Sequence, residues 1–526
     1  MSDLASNESS NMSVPETNKK PMGTLLEGVS IGSVYLLEIE DLRTKFPSAG
    51  VQNRMQMRRV TPHDHPPLLR WSHASLTSQA TGDEGTAAVA AATTAGSNKP
   101  QNYNKIIGDR ECILGELQQD PASGAYTATT FLRAGPRARL HFDPSSVSAA
   151  IVTCGGLCPG LNNVVREITN TLHALYGIGG DVYGIQGGYR GFLKEGGMPP
   201  IVLTPALVED IHHQGGTCLG SSRGGFDLDM ILAFLRERKV NQLYVIGGDG
   251  THRGAFRIHE ECVKVGLNVA VAGIPKTIDN DVDYIDFSFG FRSAVEAACA
   301  SIRVAKTEAV CNLPNGVGIV KLMGRSAGFI AAHATMASSD VDLCLVPEVP
   351  VVLEGENGCL PYLMRRVKQQ GFAVVVVAEG AGEEVLGTSA ETDASGNKKL
   401  PAIGEFMKKA IGEYFERNGQ TATVKYIDPS YMVRSVPANA ADSVYCMQLA
   451  QNAVHGAMAG YTGFSVGLVN NRTVYLPIPT LVATSPRSMN PHGRTWERVL
   501  GLTGQPNTVE ANRSKQTASR HAPVLK

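Results

Sequence analysis

Six apolar runs lie between residues 148 and 382, and a stretch with helical spacing follows most of them. Apolarity within each run is continuous and does not alternate with polar positions, which predicts strands that are buried on both faces. A regular succession of such strands and helices is typical of α/β proteins with largely parallel sheets. The runs, in chain order, are SAAIVTCGG, NQLYVIGGDG, LNVAVAGIP, GVGIVKLMG, DLCLVPE and FAVVVVAEGAG.

Composition outside the runs divides the chain into three parts. Residues 1–24 are rich in Ser, Asn and Lys, and residues 75–104 are low in complexity, so both predict disorder or flexibility. Short apolar pieces in residues 25–73 predict a small strand or helix packed against the body. The predicted parts are an N-terminal extension (1–136), a core (137–485), and a C-terminal helical segment with a flexible tail (486–526).

Composition and charge exclude several classes of protein. The chain has 526 residues, of which 43% are hydrophobic and 18% are charged, as expected of a globular protein. A formal net charge of -1 offers no bulk attraction to nucleic acid or to an anionic membrane. No segment approaches the roughly 20 apolar residues of a membrane span, and the N-terminus lacks an apolar signal core. We therefore expect a cytoplasmic protein without nucleic-acid or membrane partners.

The 10 cysteines form no CxxC pair and no zinc-like cluster with histidine. Free thiols in a reducing compartment are the expected state. Cys154 and Cys158 form a CxxxC, for which redox or metal chemistry is the alternative.

Glycine-rich turns follow two of the predicted strands. Ligands of open parallel sheets bind beyond the carboxyl ends of the strands, so these turns are candidate binding loops. The turn GGLCPG, residues 155–160, precedes a helical stretch whose backbone N–H groups and dipole favour an anion. The turn GGDGT, residues 247–251, adds Asp249, an oxygen ligand suited to Mg²⁺, and Thr251, which can cap a helix or bind phosphate. The alternatives are a plain strand-to-helix turn for the first motif and a helix-capping turn for the second.

The stretch GIPKTIDNDVD, residues 273–283, presents Asp279, Asp281 and Asp283 at alternate positions directly after a strand. An extended segment places all three on one side, where like charges need a cation, a proton or a substrate group to offset them. An ordinary turn needs no such cluster. The stretch therefore predicts a catalytic loop, and an acidic turn with structural hydrogen bonds is the alternative.

Each polar residue of this loop has a use if magnesium and phosphate are bound nearby. Asp279 can accept the proton of an attacking hydroxyl, Thr277 can position the substrate, and Lys276 can balance the developing charge. Asp281 would orient the acceptor or hold the metal.

Further polar residues lie near other strand ends and are candidates for phosphate or polyol binding. Arg223 in SSRG can reach a phosphate as a planar donor, although a surface arginine is the alternative. The other candidates are Met323, Gly324, Arg325 and Glu379 for a polyol, and Lys425, Tyr431 and Arg434 for a second phosphate.

Taken in order, GGLCPG, SSRG, GGDGT, PKTIDND, MGR, AEG and DPSYMVR resemble the motifs of 6-phosphofructokinases over residues 137–485. The segments TVKYIDPSYMVR, DASGNKKL and QNAVHGAMAGYTGF are similar to the plant and trypanosomatid ATP-dependent branch. The resemblance implies two doubly wound lobes with largely parallel sheets and an active site in the cleft between them. It also implies an allosteric glycolytic enzyme that forms dimers or tetramers. Its reaction would phosphorylate fructose 6-phosphate at the 1-hydroxyl with ATP and Mg²⁺.

The same resemblance implies roles for individual positions. Asp279 would be the proton acceptor, with Lys276 and Thr277 as further catalytic residues, and Asp249 would hold magnesium. The residues implied in ATP binding are Gly156, Arg223, Gly224, Gly248, Asp249, Gly250 and Thr251. Those implied in fructose 6-phosphate binding are Thr277, Ile278, Asp279, Met323, Gly324, Arg325, Glu379, Lys425, Tyr431, Met432, Val433 and Arg434.

Two departures from the bacterial pattern bear on the ligands. Bacterial ATP-dependent members have Gly at the position of Lys276, and pyrophosphate-dependent members share the lysine, which leaves pyrophosphate open as the donor. Gly250 favours ATP, because pyrophosphate users carry Asp there, whose bulk and charge oppose an α-phosphate. Bacterial members also have Arg at the position of Gly316 as a 6-phosphate contact, and here Lys425 and Arg434 are expected to supply it. A non-catalytic sugar-phosphate or nucleotide sensor is the third hypothesis.

Overall fold

The computed structural model describes residues 19–22, 34–47, 50–52, 106–115, 128–193, 197–387 and 400–510. The strands are β1 (Lys19–Met22), β2 (Val34–Leu37), β3 (Glu40–Asp41), β4 (Val51–Gln52), β5 (Cys112–Leu114), β6 (Ala128–Arg133), β7 (Arg139–Leu140), β8 (Ala149–Thr153), β9 (Val182–Ile185), β10 (Ile201–Val202), β11 (Gln242–Gly247), β12 (Ala270–Pro275), β13 (Gly316–Leu322), β14 (Leu343–Leu345), β15 (Phe372–Ala378), β16 (Thr423–Ile427), β17 (Tyr461–Thr462), β18 (Phe464–Val469) and β19 (Arg472–Pro477).

The α-helices alternate with strands through most of the chain. They are α1 (Leu42–Lys45), α2 (Leu161–Asn170), α3 (Leu228–Glu237), α4 (Asp249–Lys264), α5 (Phe291–Cys311), α6 (Phe329–Ser338), α7 (Cys359–Gln370), α8 (Glu383–Leu386), α9 (Ile403–Arg417), α10 (Ser430–Ser435), α11 (Ala440–Ala459), α12 (Ile478–Thr484) and α13 (Arg494–Thr503). Within the described ranges, no helix is long and apolar enough to cross a membrane.

The first lobe is built on a large mixed sheet with the order β1-β2-β6-β19-β18-β12-β11-β8-β9-β10, with β5 paired to β6. Its centre is parallel, because β9, β8, β11, β12 and β18 all run in the same direction. The in-register pairing of β11 with β12 sets Gly247 opposite Pro275. The glycine turn and the loop of aspartates therefore leave the same sheet edge side by side.

The second lobe is built on a sheet with the order β14-β15-β13-β16. All three strand pairs in this sheet are parallel. The pairing of β13 with β15 sets Leu322 opposite Ala378, so that Met323 and Glu379 follow at one edge.

Both sheets are covered on both faces, and this explains why their strands are continuously apolar. In β11, Tyr244 and Ile246 join one hydrophobic cluster, whereas Leu243 and Val245 join another. The first cluster also contains Val374 and Val376 of β15, so it extends between the lobes. The opposite faces of β13 and β15 pack against α7 and α9 in a third cluster. The expected doubly wound α/β architecture with largely parallel sheets is confirmed.

The N-terminal extension contributes to the first lobe. Strand β2 pairs with β6, and β6 pairs with β19. A division at residue 137 therefore crosses one continuous sheet. Residues 19–22 form β1 paired with β2, which corrects the expectation of disorder for that part of residues 1–24. The expectations for residues 75–104 and for the tail beyond 510 lie outside the described residues.

Candidate active site

A cleft of about 830 Å³ lies between the two lobes, at the carboxyl ends of their parallel strands. Strands β8, β11 and β12 end at its wall on one side, and β13 and β15 end on the other. The predicted site residues that line it are Gly156, Arg223, Gly224, Gly248, Asp249, Gly250, Thr251, Lys276, Thr277, Ile278, Asp279, Met323, Arg325, Glu379 and Arg434.

The GGLCPG turn is fixed by hydrogen bonds from two other cleft segments. Lys276 Nζ donates to the carbonyl oxygen of Gly156 at 2.5 Å. Ser221 Oγ donates to the carbonyl of Gly155 at 2.6 Å, and the Gly155 N–H donates to the carbonyl of Ser222 at 3.1 Å. Gly155 has φ +84°, a backbone conformation that favours glycine. The turn, the SSRG segment and Lys276 thus form one wall.

The GGDGT turn ends β11 and begins α4, so Asp249 lies in the first helical turn. Burial and the neighbouring Asp281 carboxylate raise the pKa of Asp249 to about 6. The buried His252 side chain bonds the carbonyl of Gly248 through Nδ1 (3.2 Å) and Ser465 through Nε2 (3.0 Å), which holds the turn from behind. A Cβ atom on Gly250 would meet nothing within 4 Å, so the space in front of this residue is open.

The TIDND loop holds Asp279 through a short relay of hydrogen bonds. Thr277 Oγ1 donates to Asp281 Oδ1 at 2.7 Å, and the Asp279 N–H donates to Thr277 Oγ1 at 3.2 Å. Burial, Asp281 and Glu379 raise the pKa of Asp279 to about 7. Its Oδ1 is buried and has no hydrogen-bond partner among the described residues. An oxygen in that state is available to accept a substrate proton.

Lys276 supplies positive charge beside these carboxylates. Its side chain is only 6% exposed, and burial lowers its pKa. The nearby Asp279 carboxylate opposes that shift. Lys276 therefore places a buried ammonium group near the Asp279 carboxylate.

The second lobe contributes Met323, Arg325 and Glu379 to the opposite wall. Burial raises the pKa of Glu379, while the charges of Lys321 and Arg325 oppose the shift. Arg434, on α10, reaches across the cleft, since a Cβ atom on Gly156 would lie 3.8 Å from its Nη1. Its Nε is buried and has no hydrogen-bond partner among the described residues. This wall has the charges to bind an anionic polyol.

Several predicted site residues do not line the cleft of this chain. Lys425 lies in the middle of β16 and is exposed. Tyr431 and Met432 are 74% and 67% exposed, whereas Val433 is fully buried in the core. Tyr431 contacts the site indirectly, with its ring 4.7 Å from the Arg434 guanidinium carbon.

Gly324 is also absent from the lining. It turns the chain between Met323 and Arg325 at φ +132°, and a Cβ there would meet the carbonyl oxygen of Ala327 at 2.5 Å. Its role is in the backbone.

Sequence reasoning missed other cleft residues because they lie outside the motifs themselves. Tyr189 and Phe226 form an edge-to-face pair with centroids 5.2 Å apart, and Tyr189 OH donates to the Thr251 carbonyl at 2.9 Å. Arg253 and Arg257 lie one turn apart on α4. Asp249, Arg253 and Arg257 follow one another at intervals of four residues. This spacing predicts that the three side chains lie on one face of α4. Ser326 and Pro486 also line the cleft.

All ten cysteines are free, and burial raises the pKa of Cys154 and Cys158 to about 12, so neither is an activated thiol. In the described part of the chain, no three His, Cys, Asp or Glu side chains form a group that could hold a metal by themselves. Mg²⁺ needs only one or two carboxylates when substrate phosphates complete its coordination. Asp249 and Asp281, whose proximity raises the Asp249 pKa, fit that requirement.

The comparisons with known proteins agree with this architecture. A profile of the phosphofructokinase family matches residues 148–457. The chain is 51% identical to ATP-dependent 6-phosphofructokinase 7 of Arabidopsis thaliana over 380 residues, which are 72% of this chain and 77% of that protein. It is 44% identical to the ATP-dependent 6-phosphofructokinase of Trypanosoma cruzi over 374 residues, which are 70% and 76% of the two chains.

Among solved structures, a pyrophosphate-dependent phosphofructokinase from Marinobacter aquaeolei aligns with a TM-score of 0.56 at 21% identity, covering 69% of this chain and 92% of that one. The fold and the cleft define a two-lobed α/β protein with an anion-binding site of the kind used in phosphoryl transfer. The chain belongs to the phosphofructokinase family. The resemblance inferred from its motifs is confirmed.

Proposed function

We propose that this protein transfers the γ-phosphoryl group of ATP to the 1-hydroxyl of fructose 6-phosphate, giving ADP and fructose 1,6-bisphosphate. One observation carries the proposal: the buried, unpartnered carboxylate oxygen of Asp279 shares a cleft with the glycine turn around Asp249. A phosphate donor on one side and a sugar alcohol on the other then meet beside a base.

The donor end favours a nucleotide over pyrophosphate. The space in front of Gly250 is open, and the cleft continues past it to Phe226, Arg253 and Arg257. Pyrophosphate is too small to occupy this outer part of the cleft, whereas the α-phosphate and the nucleoside of ATP would occupy it. The curated relatives at 44–51% identity are named ATP-dependent. The pyrophosphate-dependent structure is 21% identical and supports the fold alone.

The backbone N–H groups at the start of α4 and the guanidinium of Arg223 would bind the donor phosphates. Asp249 would hold Mg²⁺ together with these phosphates, with Asp281 as its nearest acidic neighbour. Bound there, the cation would neutralise charge on the transferring phosphoryl group.

The acceptor end is built for proton removal. Asp279 accepts the proton of the 1-hydroxyl, and the sugar oxygen forms a bond to the γ-phosphorus as the bond to the bridging β–γ oxygen breaks. The neutral acid formed on Asp279 is the form that burial favours. Lys276 balances the charge that develops beside the loop. Arg325 and Arg434 would bind the sugar phosphate, and Glu379 would bind its hydroxyls.

Purified protein offered fructose 6-phosphate and Mg²⁺ with ATP or pyrophosphate in parallel tests the proposal. We expect fructose 1,6-bisphosphate with ATP only, and roughly 10²- to 10⁴-fold less turnover for Asp279→Asn with little change in sugar affinity. Product with pyrophosphate alone would identify the other donor. Tight sugar-phosphate binding without any product would identify a sensor.

Homo-oligomerisation as a dimer or tetramer and a cytoplasmic location are part of the proposal. Both derive from the family resemblance and from the composition of the sequence. Analytical ultracentrifugation and fluorescence microscopy of the tagged protein test them directly.

A further inference from the structure

A short segment after α12 crosses from the first lobe to the second at the floor of the cleft. This segment, residues 485–489, is called the strap below. On the first-lobe side, the Asp283 N–H donates to Ser485 Oγ at 3.0 Å. The Arg487 N–H donates to the carbonyl of Asp281 at 2.7 Å, and Arg487 Nε lies 3.4 Å from the carbonyl of Asn280. Asn280, Asp281 and Asp283 of the catalytic loop are therefore bound to the strap.

The strap is bound equally closely to the second lobe. Ser488 Oγ donates to the carbonyl of Ser326 at 3.1 Å, and the Met489 N–H donates to Glu348 Oε1 at 2.7 Å. Glu348 also accepts the N–H of Gly328 at 2.9 Å, at the start of α6. Ser326 directly follows Arg325, which lines the cleft in this lobe.

Arg487 is the side chain that touches both lobes. Its guanidinium carbon lies 5.5 Å from the ring centroid of Phe329, the first residue of α6. On the other side it faces Asp281, Asp283 and Asp286, whose charges oppose the lowering of its pKa by burial. A partly buried cation between an aromatic ring and three nearby carboxylates is attracted from both sides.

The link from Arg487 to the chemistry is short. The Arg487 side chain reaches the carbonyl of Asn280, the residue directly after Asp279, whereas its backbone N–H binds the carbonyl of Asp281. Asp281 in turn accepts the Thr277 hydroxyl, and Thr277 accepts the Asp279 N–H. A shift of the strap would therefore move Asp279 relative to Arg325, because Asp279 belongs to the first lobe and Arg325 to the second.

We propose that Arg487 is a positioning residue. It holds Asp279 of the first lobe at the distance from Arg325 of the second lobe that the reaction requires. The inference rests on the proposed function. Arg487 does not line the cleft itself, so it acts through the loop and not by contact with substrate.

Steady-state kinetics of four variants tests this proposal. For Arg487→Ala we expect kcat to fall about 10- to 100-fold while the KM for ATP stays within about twofold, because the GGDGT turn is not bound to the strap. Arg487→Lys keeps the charge but not the planar guanidinium contacts. Its kcat should therefore lie between those of Arg487→Ala and the wild type. Ser488→Ala, which removes only the contact to Ser326, should lower kcat less. Arg494→Ala is the matched control, since the Arg494 side chain is 81% exposed on α13 and its ion pair among the described residues is with Glu497 of the same helix.

Hydrogen–deuterium exchange of the same proteins without substrate gives a second readout, which does not depend on catalysis. Peptides covering residues 277–288 should exchange faster in Arg487→Ala than in the wild type or in Arg494→Ala, while peptides of α4 should not change. Unchanged kcat and unchanged exchange in the loop would overturn the proposal, as would equal losses in Arg494→Ala. If the wild type turns over no fructose 6-phosphate, the proposed function fails, and the exchange of the loop alone decides the role of Arg487.

Discussion

Lys276 Nζ is hydrogen-bonded to the carbonyl oxygen of Gly156, and this 2.5 Å contact joins two loops separated by 120 positions in the chain. One loop follows β8 and the other follows β12, with β11 between them in the sheet. The ammonium therefore ties the GGLCPG turn to the loop that carries Asp279. It also places a buried positive charge beside both the glycine turn and the loop of aspartates.

Replacing Lys276 by Met should lower kcat about 10²-fold, because a preorganised charge that faces the developing negative charge is lost. The KM for fructose 6-phosphate should change much less. Initial rates at saturating ATP and sugar measure this, and circular dichroism verifies the fold. A variant with wild-type kcat would limit Lys276 to a structural role.

The Asp279→Asn variant should be more stable than the wild type at pH 8. The pKa of Asp279 is raised to about 7 in the folded protein, so the native state loses stability as pH rises from about 4 through 7 and the carboxylate forms. Removing that charge should raise the free energy of unfolding by about 1 to 3 kcal/mol at pH 8. Urea denaturation at pH 8 and at pH 4.5 measures the difference, which should shrink at the lower pH. Asp229→Asn, an exposed carboxylate on α3, should show no such gain.

The pH profile of kcat/KM for fructose 6-phosphate should fall below about pH 7, since the base must be ionised. Asp281→Asn removes a negative neighbour that raises the pKa of Asp279, so the acidic limb should move to lower pH. The sugar phosphate titrates in the same region, but it does so equally for both proteins and cancels in the comparison. Asp283→Asn is the control. If the acidic limb of the profile does not move in Asp281→Asn, the limb reports the titration of a group other than Asp279.

Gly250→Asp should reduce kcat/KM for ATP by about 10²-fold or more while sugar affinity stays near the wild-type value. The new side chain has room, because nothing lies within 4 Å of its Cβ, so the effect is charge repulsion and not misfolding. Gly250→Ala separates bulk from charge. Equal losses for ATP and sugar would contradict the placement of the donor at this turn.

Arg434→Ala should raise the KM for fructose 6-phosphate at least about tenfold, since a charge-assisted contact to an anion is lost. Lys425→Ala removes an equal charge from an exposed site outside the cleft and should leave the KM unchanged. Titration of the sugar phosphate against each variant by calorimetry measures the affinities. An effect confined to the KM for ATP would reassign Arg434 to the donor.

Sequence reasoning could find the cleft residues that come directly after a buried strand. Asp249, Lys276, Met323 and Glu379 each stand at such an end, and parallel packing brings those ends to one edge of a sheet. It did not specify that Lys425 and Tyr431, which lie near a motif, are exposed and outside the cleft lining. Proximity in sequence does not specify the direction of a side chain, which alternates along a strand and rotates around a helix.

The amino-acid sequence by itself determined the α/β class, the parallel strands and the loop chemistry, because continuous apolarity, terminal glycines and clustered carboxylates are local properties. Only the tertiary structure decided which loops meet. The contact of Lys276 with Gly156, the reach of Arg434 to the same turn, and the binding of Arg487 to both lobes all join segments more than 100 residues apart. Such contacts depend on how two sheets pack across a shared core, and no local pattern specifies that packing.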